Sequence, residues 1–178
     1  MSIYQPAEDS YLLSEILKRE IPPLLQENIG LTFLEIGSGS GIHLETAYNL
    51  WIKKENIFSC DLDPASVSHC NSLGFNCIKS DLFKAFTGRF DMIVFNPPYL
   101  PEDIREPEDY KIATTGGKKG GEVVNRFLKA AKEHLNPNGK IFLLTSSLTK
   151  GIDFNGYNKE FLCNEKLFYE ELFVWKLT

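Results

Sequence analysis

Short apolar runs recur along this chain at positions 31–36, 57–60, 75–78, 90–95 and 140–144, each bounded by glycine, proline or acidic residues. Runs of this length with such borders read as buried strands. Between them the period lengthens. Within 4–20, Ser10, Leu12, Leu13, Ile16 and Leu17 recur at helical spacing, which predicts a helix closed by Pro22-Pro23. Ile42, Leu44, Ala47 and Leu50 mark a second helix, 65–73 a third that Gly74 ends, and Val123, Val124, Phe127, Leu128, Ala131 and Leu135 a fourth over 122–135. Asn136-Pro137-Asn138-Gly139 reads as a turn, and 161–163 with 170–177 as a terminal antiparallel pair. Strands alternating with helices predict an α/β fold around a mostly parallel sheet.

The polar residues that interrupt this pattern gather at strand ends. Strand 31–36 contains one acid, Glu35, and runs into Gly37-Ser38-Gly39-Ser40-Gly41 before a helix. Strand, glycine loop and helix open a nucleotide-binding βαβ unit, although a GxGxG run alone also suits any tight turn. The second strand ends in Asp61, placed to take ribose hydroxyls, and Asp63 before Pro64 suits a helix cap. The third leads into Asp81-Leu82. The fourth ends in Asn96-Pro97-Pro98-Tyr99, where two prolines stop the ladder and stiffen a loop carrying an amide, acceptor carbonyls and a phenol. Ligands of open α/β sheets bind at this edge. Ahead of the first helix, Glu8-Asp9-Ser10 reads locally as an N-terminal cap with first-turn acids. The irregular stretch 100–121, with Lys118 and Lys119 at its tip, reads as a functional loop or lid.

Composition narrows the field. A chain of 178 residues, 43% hydrophobic, suits one domain over 1–178. A net charge of -5 argues against holding long nucleic acid by counterion release. Neither a membrane span nor a signal-peptide pattern is visible. Cys60, Cys70, Cys77 and Cys163 lack metal-ligand spacing, so no metal site is expected, and Cys60 and Cys77 read as small buried hydrophobes. A reduced, cytoplasmic enzyme fits these features.

Taken together, the motifs resemble class I S-adenosylmethionine-dependent methyltransferases: strand-GxGxG-helix, an acid ending the second strand, an Asp after the third and Asn-Pro-Pro-Tyr after the fourth. That tetrapeptide belongs to enzymes methylating a planar nitrogen, on adenine, guanine or protein glutamine. Tyr4-Gln5-Pro6-Ala7-Glu8-Asp9-Ser10, the segment Gly116-Gly117-Lys118 to Arg126-Phe127 and the tail Leu167-Phe168-Tyr169-Glu170-Glu171-Leu172 look like the archaeal and eukaryotic HemK-like group. The resemblance implies a Rossmann-like seven-stranded sheet with an antiparallel C-terminal strand and helices on both faces. It implies methyl transfer to the glutamine of the Gly-Gly-Gln loop in class 1 translation termination factors, leaving S-adenosylhomocysteine. It also implies a small zinc-binding activator as heterodimeric partner, and no stable nucleic-acid or membrane partner.

Residue by residue, the resemblance places Asn96 and Pro97 on the substrate amide as acceptors, with Pro98 beside them and the Tyr99 ring packed on the planar group. It places Glu35, Gly37 and Gly39 along the methionine and ribose, Asp61 and Leu62 at the ribose, Asp81 and Leu82 at adenine, and Glu8, Asp9 and Ser10 over the methionine end. The chain departs from the superfamily at 148–158. Two glycines, two asparagines and weak periodicity predict a short turn or loop where a full helix normally stands. Methylation of a nucleobase amine or of protein lysine stands as the alternative. A non-catalytic cofactor-binding module and a Rossmann dehydrogenase are further from the pattern.

Overall fold

Consecutive apolar residues in a strand point to opposite faces, so a run with no polar interruption must be covered on both sides. In a computed structural model, which describes residues 4–103, 105, 111 and 114–178, the strands are covered in this way. The elements are α1 (Glu8–Glu27), β1 (Phe33–Ile36), α2 (Ile42–Asn49), β2 (Ile57–Asp61), α3 (Pro64–Ser72), β3 (Asn76–Lys79) and β4 (Phe90–Phe95). There follow β5 (Leu100–Pro101), β6 (Thr115–Gly117), α4 (Glu122–Ala131), β7 (Leu135–Ser146), β8 (Lys159–Lys166) and β9 (Glu171–Leu177). Seven strands form one sheet in the order β3-β2-β1-β4-β7-β9-β8, parallel except where β9 runs against β7 and β8. Phe33, Met92, Val94, Phe142 and Leu144 join one core layer with Leu13, Leu17 and Ile21 of α1, Leu44 of α2 and Cys70 of α3. Leu34, Ile36, Ile93, Phe95, Ile141 and Leu143 join the other with Val124, Phe127 and Leu128 of α4.

Two expectations are corrected. The first helix does not stop at Pro22-Pro23 but continues through both to Glu27. Proline removes an intrahelical hydrogen bond and costs a helix about 3 kcal/mol or more. Here both prolines are exposed, and the carbonyls left unpaired, those of Lys18 and Arg19, belong to exposed residues that water can reach. Ile21 and Leu17, fully buried on the opposite face, hold the helix together. The second correction concerns 136–139. The turn lies inside β7 as a bulge: pairing jumps from Phe90–Leu135 to Met92–Lys140, Asn138 takes φ 65°, and Asn136 Nδ2 donates to Asp91 Oδ1 at 2.8 Å.

Residues 148–158 form no helix, as the composition predicts. Ile152, Phe154 and Tyr157 cover part of the second core layer instead. The stretch is pinned to α4: Asn125 Nδ2 donates to the Gly151 carbonyl at 2.8 Å, the Asp153 N–H donates to Asn125 Oδ1 at 2.8 Å, and Tyr157 Oη donates to the Leu128 carbonyl at 2.6 Å.

Within 100–121, the described strands β5 and β6 pair in parallel, while residues 104, 106–110, 112 and 113 of the expected lid lie outside the described residues. Among the described residues no helix is long and apolar enough to cross a membrane, and no cluster of His, Cys, Asp and Glu could hold a metal.

Candidate active site

Register brings the strand ends together. Ile36 pairs with Cys60 on one side and Phe95 on the other, so Gly37, Asp61 and Asn96 leave their strands at one level. One strand further out, Asp61 pairs with Lys79, which places Ser80 and Asp81 just beyond. The chain turns sharply after β1: the N–H groups of Gly37 and Ser38 both donate to the Cys60 carbonyl, at 2.8 and 3.1 Å, and Gly37, Gly39 and Gly41 all take positive φ. A side chain at Gly41 would be strained, and its Cβ would stand 3.3 Å from the Cys70 sulfur.

A cavity of about 300 Å³ opens at this edge, within the size range of small-molecule sites. Its wall includes Asp9, Ser10, Glu35, Gly37, Gly39, Asp61, Leu62, Asp81, Leu82, Asn96, Pro97 and Pro98, all expected there from the sequence. Two expected residues are not on the wall. Glu8 stays in the first turn of α1, exposed. Tyr99 turns its ring against the α1-side core and donates its hydroxyl to Asp9 Oδ2 at 3.4 Å. The wall also includes residues that carried no site expectation, among them Tyr4, His43 and Arg126.

Asp61 is held from both sides, Oδ2 accepting from the Gly39 N–H and Oδ1 from the Asp63 N–H, each at 2.8 Å. Burial pushes its carboxyl up, against the pull of those two N–H groups. Asp63 caps α3 by accepting from the Ala65 N–H at 3.1 Å. Glu35, almost fully buried, meets His43 Nδ1 at 2.6 Å, and His43 Nε2 donates to the Ser10 carbonyl at 3.1 Å. Burial raises the Glu35 carboxyl, opposed by His43. Burial would lower His43, but the charge and hydrogen bond of Glu35 outweigh it, so the ring keeps its proton above the ordinary imidazole range. An acid inside an apolar strand demands such a partner, which is the signal in the sequence that points to His43.

Asp81 is engaged by Arg126 and Lys84, each at 2.7 Å, and these cations hold its carboxyl below the usual range. The next residue, Leu82, takes φ 52°, a strained conformation for a leucine, at the cavity wall.

Asn96 donates Nδ2 to Asp9 Oδ2 at 3.1 Å, while its Oδ1 has no partner. Among the described residues, the buried side-chain polar atoms without a partner are Ser14 Oγ, Glu35 Oε2 and Asn96 Oδ1, and the last two belong to wall residues. Buried acceptors are nearly always satisfied, so two orphans on one wall mark where a ligand's donors fit. Glu35 is offset by His43 and Asp81 by Lys84 and Arg126, while Asp9 and Asp61 keep the wall negative, so the cavity suits a ligand that is cationic and rich in hydroxyl and amine donors.

The loop after β4 is braced from behind. A Cβ on Gly116 would lie 2.5 Å from the Pro98 carbonyl oxygen and 2.1 Å from that of Gly120, so only glycine fits there. Thr149 Oγ1 donates to the Tyr99 carbonyl at 2.9 Å.

Comparison with known proteins agrees with this architecture. The family described as "Methyltransferase small domain" matches residues 14–154. A Methanocaldococcus jannaschii protein assigned by name to the protein N5-glutamine methyltransferases is 33% identical over 98% of this chain and 92% of its own length. Human methyltransferase HEMK2 is 31% identical over 80% of this chain and 71% of its own. The eRF1 methyltransferase catalytic subunit mtq2 of Schizosaccharomyces pombe is 28% identical over 83% and 74%. Among solved structures, the Thermus thermophilus 16S rRNA N2 G1207 methyltransferase in complex with AdoMet and guanosine superposes with a TM-score of 0.65 at 21% identity, over 97% of this chain and 43% of that one. Family match and relatives agree: the chain belongs to the methyltransferase small domain family, among the HemK-like N5-glutamine methyltransferases.

Proposed function

We propose that this chain methylates the side-chain amide nitrogen of the glutamine in the Gly-Gly-Gln loop of a class 1 translation termination factor, using S-adenosylmethionine. The observation that carries the reading is the Asn96 amide, whose donor is occupied and whose acceptor is free. When bound, S-adenosylmethionine supplies an electrophilic methyl group on a sulfonium and leaves as S-adenosylhomocysteine. An amide nitrogen is a weak nucleophile because its lone pair is delocalised into the carbonyl. Asn96 Oδ1 and the Pro97 carbonyl accept its two N–H hydrogens, which aims the lone pair at the methyl and favours the positive charge growing on nitrogen. Holding nitrogen and methyl in attack geometry supplies much of the acceleration. As the N–C bond forms, the S–C electron pair stays on sulfur, and the nitrogen then loses its proton to water, so no dedicated base is needed.

Asp61 and Leu62 would take the ribose, Glu35 Oε2 the methionine ammonium, Gly37 and Gly39 the close backbone approach, and the Asp81-Leu82 segment the adenine. Glu8 and Ser10 would close over the methionine end, and Pro98 and Tyr99 would complete the acceptor loop. One domain over 1–178 in the cytoplasm fits this work. A small zinc-binding activator is part of the proposal: among the described residues β3 is an edge strand of the sheet, and the S. pombe relative is by name a catalytic subunit. Co-expression with such an activator should shift the chain to a heterodimer by size-exclusion chromatography.

The decisive experiment offers labelled S-adenosylmethionine with either termination factor or RNA and DNA, then locates the modified residue by mass spectrometry. Label on the loop glutamine is the expected result. Label on nucleic acid or on lysine alone would overturn the reading.

A further inference from the structure

Asp9 is 5% exposed and accepts from four residues at once. Tyr4 Oη donates to Oδ1 and Oδ2 at 3.1 and 3.0 Å, the Ser10 N–H and Oγ donate to Oδ1 at 2.6 and 3.1 Å, Asn96 Nδ2 donates to Oδ2 at 3.1 Å and Tyr99 Oη donates to Oδ2 at 3.4 Å. Every one of these contacts comes from a donor, which leaves the carboxylate little capacity for a bound molecule. The side chain is also fixed in place. Its neighbour Ser10 gives its carbonyl to His43, and His43 is locked to Glu35, so the start of α1 is tied to the end of β1.

An asparagine amide has two ends of nearly equal shape, and only its partners decide which way round it stands. A carboxylate has no hydrogen to offer, so turning Asn96 over would set two acceptor oxygens about 3 Å apart without a proton between them. We infer that Asp9 is a positioning residue that fixes the orientation of the Asn96 amide and so presents Oδ1 to the substrate's N–H, rather than a ligand of the cofactor. Tyr4 and Tyr99 support the arrangement as constant donors, since burial, then the charge of Asp9, holds both phenols well above their ordinary range. The inference rests on the proposed glutamine methylation for its kinetic readout, though not for its structural one.

The test is Asp9→Asn, assayed by kcat on purified termination factor and by S-adenosylmethionine Kd. An asparagine here can donate to Asn96 Oδ1 and allow the amide to turn. A drop in kcat of about ten-fold or more, with cofactor Kd within about two-fold of wild type, is expected. In an Asn96→Ala background the same substitution should cause no further loss, because residues acting as one unit are not additive. In the wild-type protein, the Asn96 side-chain NH₂ signals, assigned by their loss in Asn96→Ala, should be protected from hydrogen exchange. The inference is overturned by an unchanged kcat, by a cofactor Kd that rises as far as kcat falls, by losses that multiply in the double variant, or by Asn96 protons exchanging like free asparagine. If Asp9→Asn does not fold, or if wild type leaves the glutamine unmethylated, the exchange measurement still decides. The second of these outcomes defeats the proposed function and not the role of Asp9.

Discussion

β4 and β7 lie side by side and in parallel, and they end at one edge of the sheet, yet their tips differ in kind. After β7, hydrogen bonding is closed. Thr145 Oγ1 accepts from Trp175 Nε1 at 2.9 Å, and Ser146 Oγ donates to Glu170 and accepts from the Leu148 N–H. Thr149 Oγ1 accepts from the Ser146 N–H, and Ser147 exchanges bonds with the Glu171 backbone. At the tip of β4, Asn96 Oδ1 has no partner. Polar residues alone therefore do not mark a site, for both tips have them. What separates the two is whether the chain satisfies its own acceptors, and a fold stabilised everywhere else can carry a deficit where a substrate will fill it.

Substitutions should therefore sort by strand. Asn96→Ala should lower kcat by about 100-fold or more, the scale for losing one preorganised group that meets developing charge. Thermal unfolding of this variant should reveal a loss of only about 1–2 kcal/mol, from the Nδ2 bond to Asp9, because the deleted acceptor itself stabilises nothing in the free protein. Asp61→Ala should weaken cofactor binding by about ten-fold or more, read by calorimetry, since a charge-assisted pair of hydroxyl contacts is lost. The same residue sets a pH dependence. Ionised Asp61 is the form that accepts from hydroxyls, and its carboxyl lies above the ordinary aspartate range. Cofactor affinity should thus decline on acidification at a higher pH than an ordinary aspartate would dictate, and Asp61→Asn should flatten that limb of the Kd–pH curve.

On the β7 side, Thr149→Val should cost about 1 kcal/mol of stability in urea unfolding and a few-fold in kcat, because its hydroxyl braces the Tyr99 carbonyl. Trp175→Phe should cost about 1 kcal/mol or less and leave kcat unchanged. A kcat loss in Trp175→Phe as large as that in Asn96→Ala would abolish the distinction between the two tips.

Much of the β4 side was readable before any coordinates. Glu35, the glycine loop, Asp61, Asp81 and Asn96-Pro97-Pro98-Tyr99 each interrupt an apolar run at its end, and parallel register then forces them to one edge. The missing helix at 148–158 was equally legible, because glycine and asparagine act locally. The misreadings have the opposite character. Pro22 and Pro23 obey a local rule that burial of Ile21 overrides. Arg126 and the Asn96–Asp9 bond depend on partners distant along the chain, with Arg126 and Asp81 45 residues apart and Asn96 and Asp9 87 apart. Tyr99 stands off the cavity wall, partly buried against the α1-side core with its hydroxyl on Asp9, a contact that no local pattern announces. Local patterns announce strand ends; they do not announce which ends will reach across to each other.

The contact between Gly116 and Pro98 carries a consequence for how this protein can vary. Gly116 carries no reactive group, but any side chain there must displace the loop that holds the acceptors. In a saturation scan scored by methylation, position 116 should tolerate as few replacements as position 96, and for the opposite reason: one is intolerant for what it offers, the other for the room it leaves.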